Sequence, residues 1–442
     1  MKNYILYFFI LSAIILSGCA PGMVRSPGKD VKPGERLEET PTVCRYSEEE
    51  KCEESYLQYA PDGNYRLAFL DIDDQGHFGR QRKQLNDVLE FIQEGNKAKR
   101  IILFVHGWHH GGIEGDTNLV LFRKLLSTSS RNTEKDVVGI YVSWRGDSIT
   151  VPLLKELTFW DRKNTSEEVG RGALLEFLVR LEQIWRKDRD VKKINSNLIT
   201  IGHSFGASVV LSSLKGILIE RFATSSPTDE KPPGFGDLVV LVNPAIEAIH
   251  YANLREIIEE KENHGQLKFK TNLRPRLIIA TSENDFATKY VFQFGRALST
   301  IFESHRDIER VNRNDDVETF SQGEMDRNTV GHYSKFLTHR LSTENELDLD
   351  LTTCELKPEP PALYSSRTEK SEVWPIPLEF EGGSKMMLEH LGNSSAYNPY
   401  WVVKVNKNII PNHSKILTGN FVCFIRRFLP EDYIKPRIPK LF

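Results

Sequence analysis

The sequence predicts an α/β protein: a mostly parallel sheet flanked by helices, with insertions before its last strand. Three observations lead there. Short runs rich in β-branched and other apolar residues recur along the chain, helical patterns separate them, and the runs are apolar throughout rather than alternating, as strands buried on both faces must be. The 442 residues, 39% hydrophobic and 27% charged, suffice for one large domain carrying insertions. A formal net charge of −3 spread over both signs offers no basic field, so nucleic acid is not an expected partner.

The first 18 residues read as an export signal. Lys2 opens it, an apolar run from Tyr4 to Leu16 follows, and Leu16-Ser17-Gly18-Cys19 closes it with small residues. That run falls short of the roughly 20 apolar residues needed to span a bilayer. The ending resembles a bacterial lipobox, which implies acylation of Cys19, cleavage before it, and a mature protein held to the membrane by acyl chains. An ordinary cleaved signal is the alternative. Ala20 follows where an aspartate would favour retention at the inner membrane, so a Gram-negative host implies the outer one.

Residues 19–62 read as a lipidated end and tether, because Pro21, Gly22, Pro27, Gly28, Pro33 and Gly34 lie among charges without apolar periodicity. The folded domain is expected over residues 63–442. Apart from Cys19 the cysteines are Cys44, Cys52, Cys354 and Cys423. They permit three disulfide pairings among which sequence does not decide, although proximity favours Cys44 with Cys52 and Cys354 with Cys423. No metal-ligand spacing accompanies them.

Tyr65–Ile72 is an alternating segment suited to an early strand. The apolar runs place further strands at Ile101–Val105, Val137–Val142, Leu198–Ile201, Leu238–Val242, Leu277–Ala280 and Trp401–Val405. A helix from Glu167 to about Arg186 presents Leu174, Leu175, Leu178, Leu181 and Trp185 on one face. Charge-dense Arg306–Asn328 and the Pro- and Gly-rich stretch Leu356–Lys385 read as loops within an insertion over 306–395.

Gly202-His203-Ser204-Phe205-Gly206 follows a strand and opens a helical run, Ala207 to Ile217. This is the context a nucleophile elbow requires: a sharp turn exposes the serine hydroxyl, and glycines admit close backbone approach. Upstream, the strand ending at Val105 runs into His106-Gly107-Trp108-His109-His110-Gly111-Gly112. Backbone amides of Phe205 and Trp108 are the candidate donors to a developing oxyanion. A serine needs a base and the base an orienting acid, in the chain order Ser, acid, His. The strand Arg276–Ala280 leads to Glu283 and Asp285, of which Asp285 is preferred. Five histidines follow: His305, His332, His339, His390 and His413. His413 is preferred because it lies between the last strand and a closing helix, Asn420–Phe428, with His332 and His339 as alternatives.

With the elbow at Ser204, the His106-Gly107-Trp108 loop, Phe159–Asn164, Ser282–Asp285 and Asn398–Val403 in view, the chain from Tyr65 to Phe428 resembles the α/β-hydrolases. It is similar within them to a group of bacterial esterase-like proteins that often carry lipoprotein signals. That group usually has an aspartate two residues after its last histidine; this chain has Lys415. The resemblance implies a Ser204-His413-Asp285 triad cleaving carboxylic esters without a cofactor or metal, on a small-molecule or lipid ester. Other readings are a lipase, thioesterase or peptidase using the same triad, or an envelope lipoprotein keeping the fold as a non-catalytic scaffold. Residues 149–165 and 306–385 would shape the pocket mouth.

Overall fold

The computed structural model describes residues 44–45, 52, 55–78, 81–131, 133–146, 159–229, 232–266, 274–300, 303–311, 316–343, 349, 375–380, 384–391, 394–395 and 398–429. The export signal, Cys19, most of the tether and Cys354 lie outside them. So do residues 147–158 and most of the stretch 356–385.

The described residues form fourteen strands. Those N-terminal to the elbow are β1 (Cys44–Arg45), β2 (Leu57–Tyr59), β3 (Tyr65–Ile72), β4 (Lys99–Val105), β5 (Asp136–Trp144) and β6 (Asn197–His203). After it come β7 (Leu238–Val242), β8 (Leu277–Ser282), β9 (Asp307–Val311), β10 (Val317–Ser321), β11 (His339–Ser342), β12 (Ile376–Glu379), β13 (Lys385–His390) and β14 (Tyr400–Val405). The helices are α1 (Gln81–Gln93), α2 (Thr117–Arg131), α3 (Phe159–Arg171), α4 (Ala173–Arg186), α5 (Phe205–Thr224), α6 (Ala248–Asn263), α7 (Phe292–Ser299), α8 (Gln322–Arg327) and α9 (Gly419–Arg426).

Twelve of these strands form one sheet in the order β1-β2-β3-β5-β4-β6-β7-β8-β14-β11-β13-β12. The eight from β3 to β11 in that order are all parallel to one another. The protein is therefore α/β, with a large, mostly parallel sheet flanked by helices. Leu103, Phe104, Val105, Val138, Ile140, Leu241, Ile278 and Ile279 are completely buried, so continuous apolar strands are what this position demands. The chain crosses from β4 to β5 on one side and from there to β6 on the other side of β4. The carboxyl ends of β4 and β6 thus flank a topological switch point, where open α/β sheets leave a crevice.

Several expectations need correction. The segment expected as one helix over Glu167–Arg186 is the end of α3 followed by α4. The carbonyl of Gly76 accepts the amide of Ala173 at 2.7 Å, and a Cβ on Gly172 would lie 2.3 Å from that same oxygen. This tertiary contact parts the two helices. Order also begins earlier than Tyr65, since β2 pairs antiparallel with β3 inside the supposed tether. Cys44 and Cys52 form a disulfide, one of the pairings favoured by proximity. Cys423 is also disulfide-bonded. Within Arg306–Asn328, expected as loop, lie the β9–β10 hairpin and α8. β11, β12 and β13 extend the sheet beyond β14. β12 and the start of β13 also fall within the stretch 356–385 expected as loop.

Candidate functional site

Ser204 sits between β6 and α5 with φ 54° and ψ −118°. A non-glycine residue with positive φ is strained, and here the surroundings impose it. A Cβ on Gly206 would fall 2.2 Å from the carbonyl oxygen of Val105 and 2.4 Å from that of His106. One on Gly202 would meet Cα of Ala207 at 2.7 Å. The elbow thus rests directly on the end of β4. Beneath Ser204, α5 is buried on nearly every side, from Phe205 through Leu211, which makes its N-terminus a rigid platform.

Three predicted residues meet at this carboxyl edge. Nε2 of His413 lies 2.9 Å from Oγ of Ser204, across 209 positions of chain. Nδ1 of the same ring lies 2.9 Å from Oδ1 and 3.0 Å from Oδ2 of Asp285. Asp285 is fully buried and Ser204 nearly so. Burial raises the Asp285 pKa, but hydrogen bonds from His413 and Thr288 and the attraction of the imidazole outweigh it, holding the carboxyl below its usual range.

The loop carrying His413 is fixed by side chains from three strand ends. Ser282 Oγ donates to the carbonyl of Ile410 at 2.6 Å, and Asn284 Nδ2 to that of Pro411 at 2.9 Å. Asn243 Nδ2 reaches the carbonyls of Asn412 and His413 at 3.1 and 3.0 Å. His203 Nε2 donates to the His413 carbonyl at 2.8 Å, so its ring is the Nε2–H tautomer. Four successive carbonyls are held in this way. Asn243, itself at φ 46°, uses its Oδ1 to accept the amide of Ser282 at 2.9 Å.

The remaining expectations fall into place by contact. Glu283, the rival acid, accepts the Asn406 side chain at 3.0 Å and the Lys407 amide at 3.1 Å, which ties it to the turn after β14. His332 bonds Thr288 Oγ1 at 3.1 Å, behind the acid rather than beside the serine. His339 is buried in β11 against the Trp401 ring, with centroids 4.2 Å apart. His305 faces Asp326 at 3.4 Å and His390 faces Ser394 at 3.2 Å. Neither reaches Ser204.

His106 has a structural role. Its Nδ1 bonds the Gly107 carbonyl at 2.9 Å, its Nε2 accepts the Trp144 amide at 3.2 Å, and Trp144 Nε1 returns a bond to the His106 carbonyl at 2.9 Å. Burial pushes its pKa down to about 4. Trp108 and His109 stack at 3.8 Å on the loop above, and Trp108 also faces the Phe205 ring at 6.2 Å. The Phe159–Asn164 motif braces the same edge. Arg162 bonds Asp74 at 3.0 Å and the Arg145 carbonyl at 3.1 Å, while Lys163 pairs with Glu247 at 2.8 Å.

Among the described residues two groups could offer metal ligands by proximity, Glu167-Glu247-His250 and Glu303-His305-Asp326. Basic side chains already occupy both: Lys163 and Arg296 contact Glu247, and Arg296 pairs with Asp326. Sequence reasoning missed Thr288 and Asn243 and the role of His203 as a clamp, because their partners lie 39 to 210 positions away or outside any recognised spacing. The chain matches no protein-family model and no curated protein.

Proposed function

We propose that this protein is a serine hydrolase of the α/β-hydrolase fold that cleaves carboxylic esters through an acyl-enzyme intermediate. The observation that carries the reading is the unbroken hydrogen-bonded string Ser204-His413-Asp285 at a strained strand-to-helix turn. A serine hydroxyl is a poor nucleophile until a base removes its proton. In this reading Nε2 of His413 takes that proton as Ser204 Oγ attacks the acyl carbonyl. Asp285, kept ionised, holds the Nδ1–H tautomer and stabilises the imidazolium that forms. The tetrahedral oxygen is placed at the N-terminus of α5, where the Phe205 amide and the helix dipole favour negative charge, with the Trp108 amide as second donor. His413 then protonates the leaving alcohol, and water repeats the sequence to free the acid.

The reading includes export and attachment to a membrane through acylated Cys19, which lies outside the described residues. It rests on the Leu16–Cys19 ending. Among the described residues no helix is long and apolar enough to cross a membrane.

A fluorophosphonate probe tests the chemistry. The full-length protein in detergent should label, and Ser204→Ala should abolish labelling and lower ester turnover on the order of a million-fold. Absence of labelling on correctly folded wild type would instead favour a non-catalytic scaffold. A p-nitrophenyl ester series graded by acyl length then separates a short-chain esterase from a lipase.

A further inference from the structure

We infer that Thr288 and His332 are positioning residues for the acid of the triad, extending it to a five-member chain His332-Thr288-Asp285-His413-Ser204. This inference deepens the hydrolase reading and rests on it. Asp285 has no freedom left in its carboxylate. Oδ1 accepts the Thr288 amide at 3.1 Å and Oδ2 accepts the Thr288 hydroxyl at 2.6 Å, while both oxygens face Nδ1 of His413. The threonine is 2% exposed and its hydroxyl carries one proton. If that proton goes to Asp285, the hydroxyl oxygen must itself accept from a donor. Nε2 of His332, 3.1 Å away, is that donor in its Nε2–H tautomer. The opposite tautomer would compete with Asp285 for the same proton. His332 therefore decides which way the threonine hydroxyl points.

The chemical consequence lies at His413. A carboxylate that shares its lone pairs with Thr288 is less basic, so it can hold an imidazolium without removing its proton. Without the hydroxyl, Asp285 becomes more basic, His413 clings to its proton more strongly, and the ring loses one constraint on its orientation. The other groups facing this chain are Lys289 and Lys404, both near His332, and His203, near His413. The hydrogen bonds to the Asp285 carboxylate come from Thr288 and His413, not from any of these three.

The test uses full-length protein, p-nitrophenyl acetate turnover and the rate of fluorophosphonate labelling, each followed between about pH 5 and 9. Thr288→Val should lower kcat roughly tenfold to a hundredfold, the loss of one oriented charge-assisted bond, with KM changed less than about twofold. It should also move the acid limb of kcat/KM to higher pH by up to about one unit. Thr288→Ser, which restores the hydroxyl, should recover to within about threefold of wild type. His332→Phe should show a smaller loss in the same direction, and His332→Gln, which keeps an N–H donor, should recover part of it.

Wild-type rates and an unmoved acid limb in both Thr288→Val and His332→Phe, with Ser204→Ala inactive, would overturn the inference and leave the hydrolase reading intact. Folded wild type that neither labels nor turns over ends both. If Thr288→Val does not fold, the His332→Phe and His332→Gln pair decides: equal rates and equal pH limbs overturn the inference.

Discussion

At Ser204 a single backbone torsion, φ 54°, separates the sharp strand-to-helix turn from an ordinary helix start, and glycines two residues to either side make it possible. His106, one strand away, shows how burial sets a titration. An unfolded chain binds a proton on this imidazole near pH 6.5, whereas the folded protein resists until about 4. Between those values the unfolded state holds more protons, so stability falls as pH drops through that window and this group takes nothing more below it. The loss from His106 is at most about 3 kcal/mol. His332, also pushed to about 4 by burial, acts in the same direction, and Asp285, held low, adds its own loss at more acidic pH. Urea unfolding followed from neutrality to about pH 4 checks this, and a flat profile contradicts it. The meeting of Ser204, Asp285 and His413 was legible because each sits where a motif or a strand end put it. Thr288 and Asn243 were not, because hydrogen-bond direction is a property of the folded site and leaves no spacing in the chain.

At the scale of elements, strands β4 to β8 and β14 could be read because burial on both faces writes an apolar run, and β3 from its alternation. The hairpin β9–β10 could not: alternation of exposed with half-buried residues in Asp307–Val311 looks like loop until a partner strand is known. The helix break at Gly172 escaped for a related reason, since the carbonyl that causes it belongs to Gly76. Two glycines of α5 give a matched prediction. Gly206→Ala places a methyl group 2.2 Å from the Val105 carbonyl, backbone that cannot yield, and should cost several kcal/mol or prevent folding. Gly216→Ala meets nothing within 4 Å in the same helix and should raise stability by up to about 1 kcal/mol through better helix propensity. Thermal melts of the two proteins should shift in opposite directions; a Gly206→Ala protein as stable as wild type would contradict the packing described for the elbow.

For the whole molecule, one twelve-stranded sheet joins the sequence-predicted domain and what was expected to be a separate insertion. The described part should therefore unfold as a unit. In hydrogen exchange, amides of β4, β6, β7 and β8 should open only with the global transition, and those of the marginal strands β12 and β13 earlier. Faster exchange in β6 than in β13 would contradict that order. The last parallel strand has a further consequence. β14 is inserted between β8 and β11, although it is made after both. Until residues 400–405 arrive, two strands that will be neighbours of neighbours each present an open flank, and the loop that brings His413 to Ser204 does not exist. A chain still threading out of its biosynthetic machinery thus holds Ser204 without His413, and the proposed chemistry is withheld until residues 400–413 have been delivered.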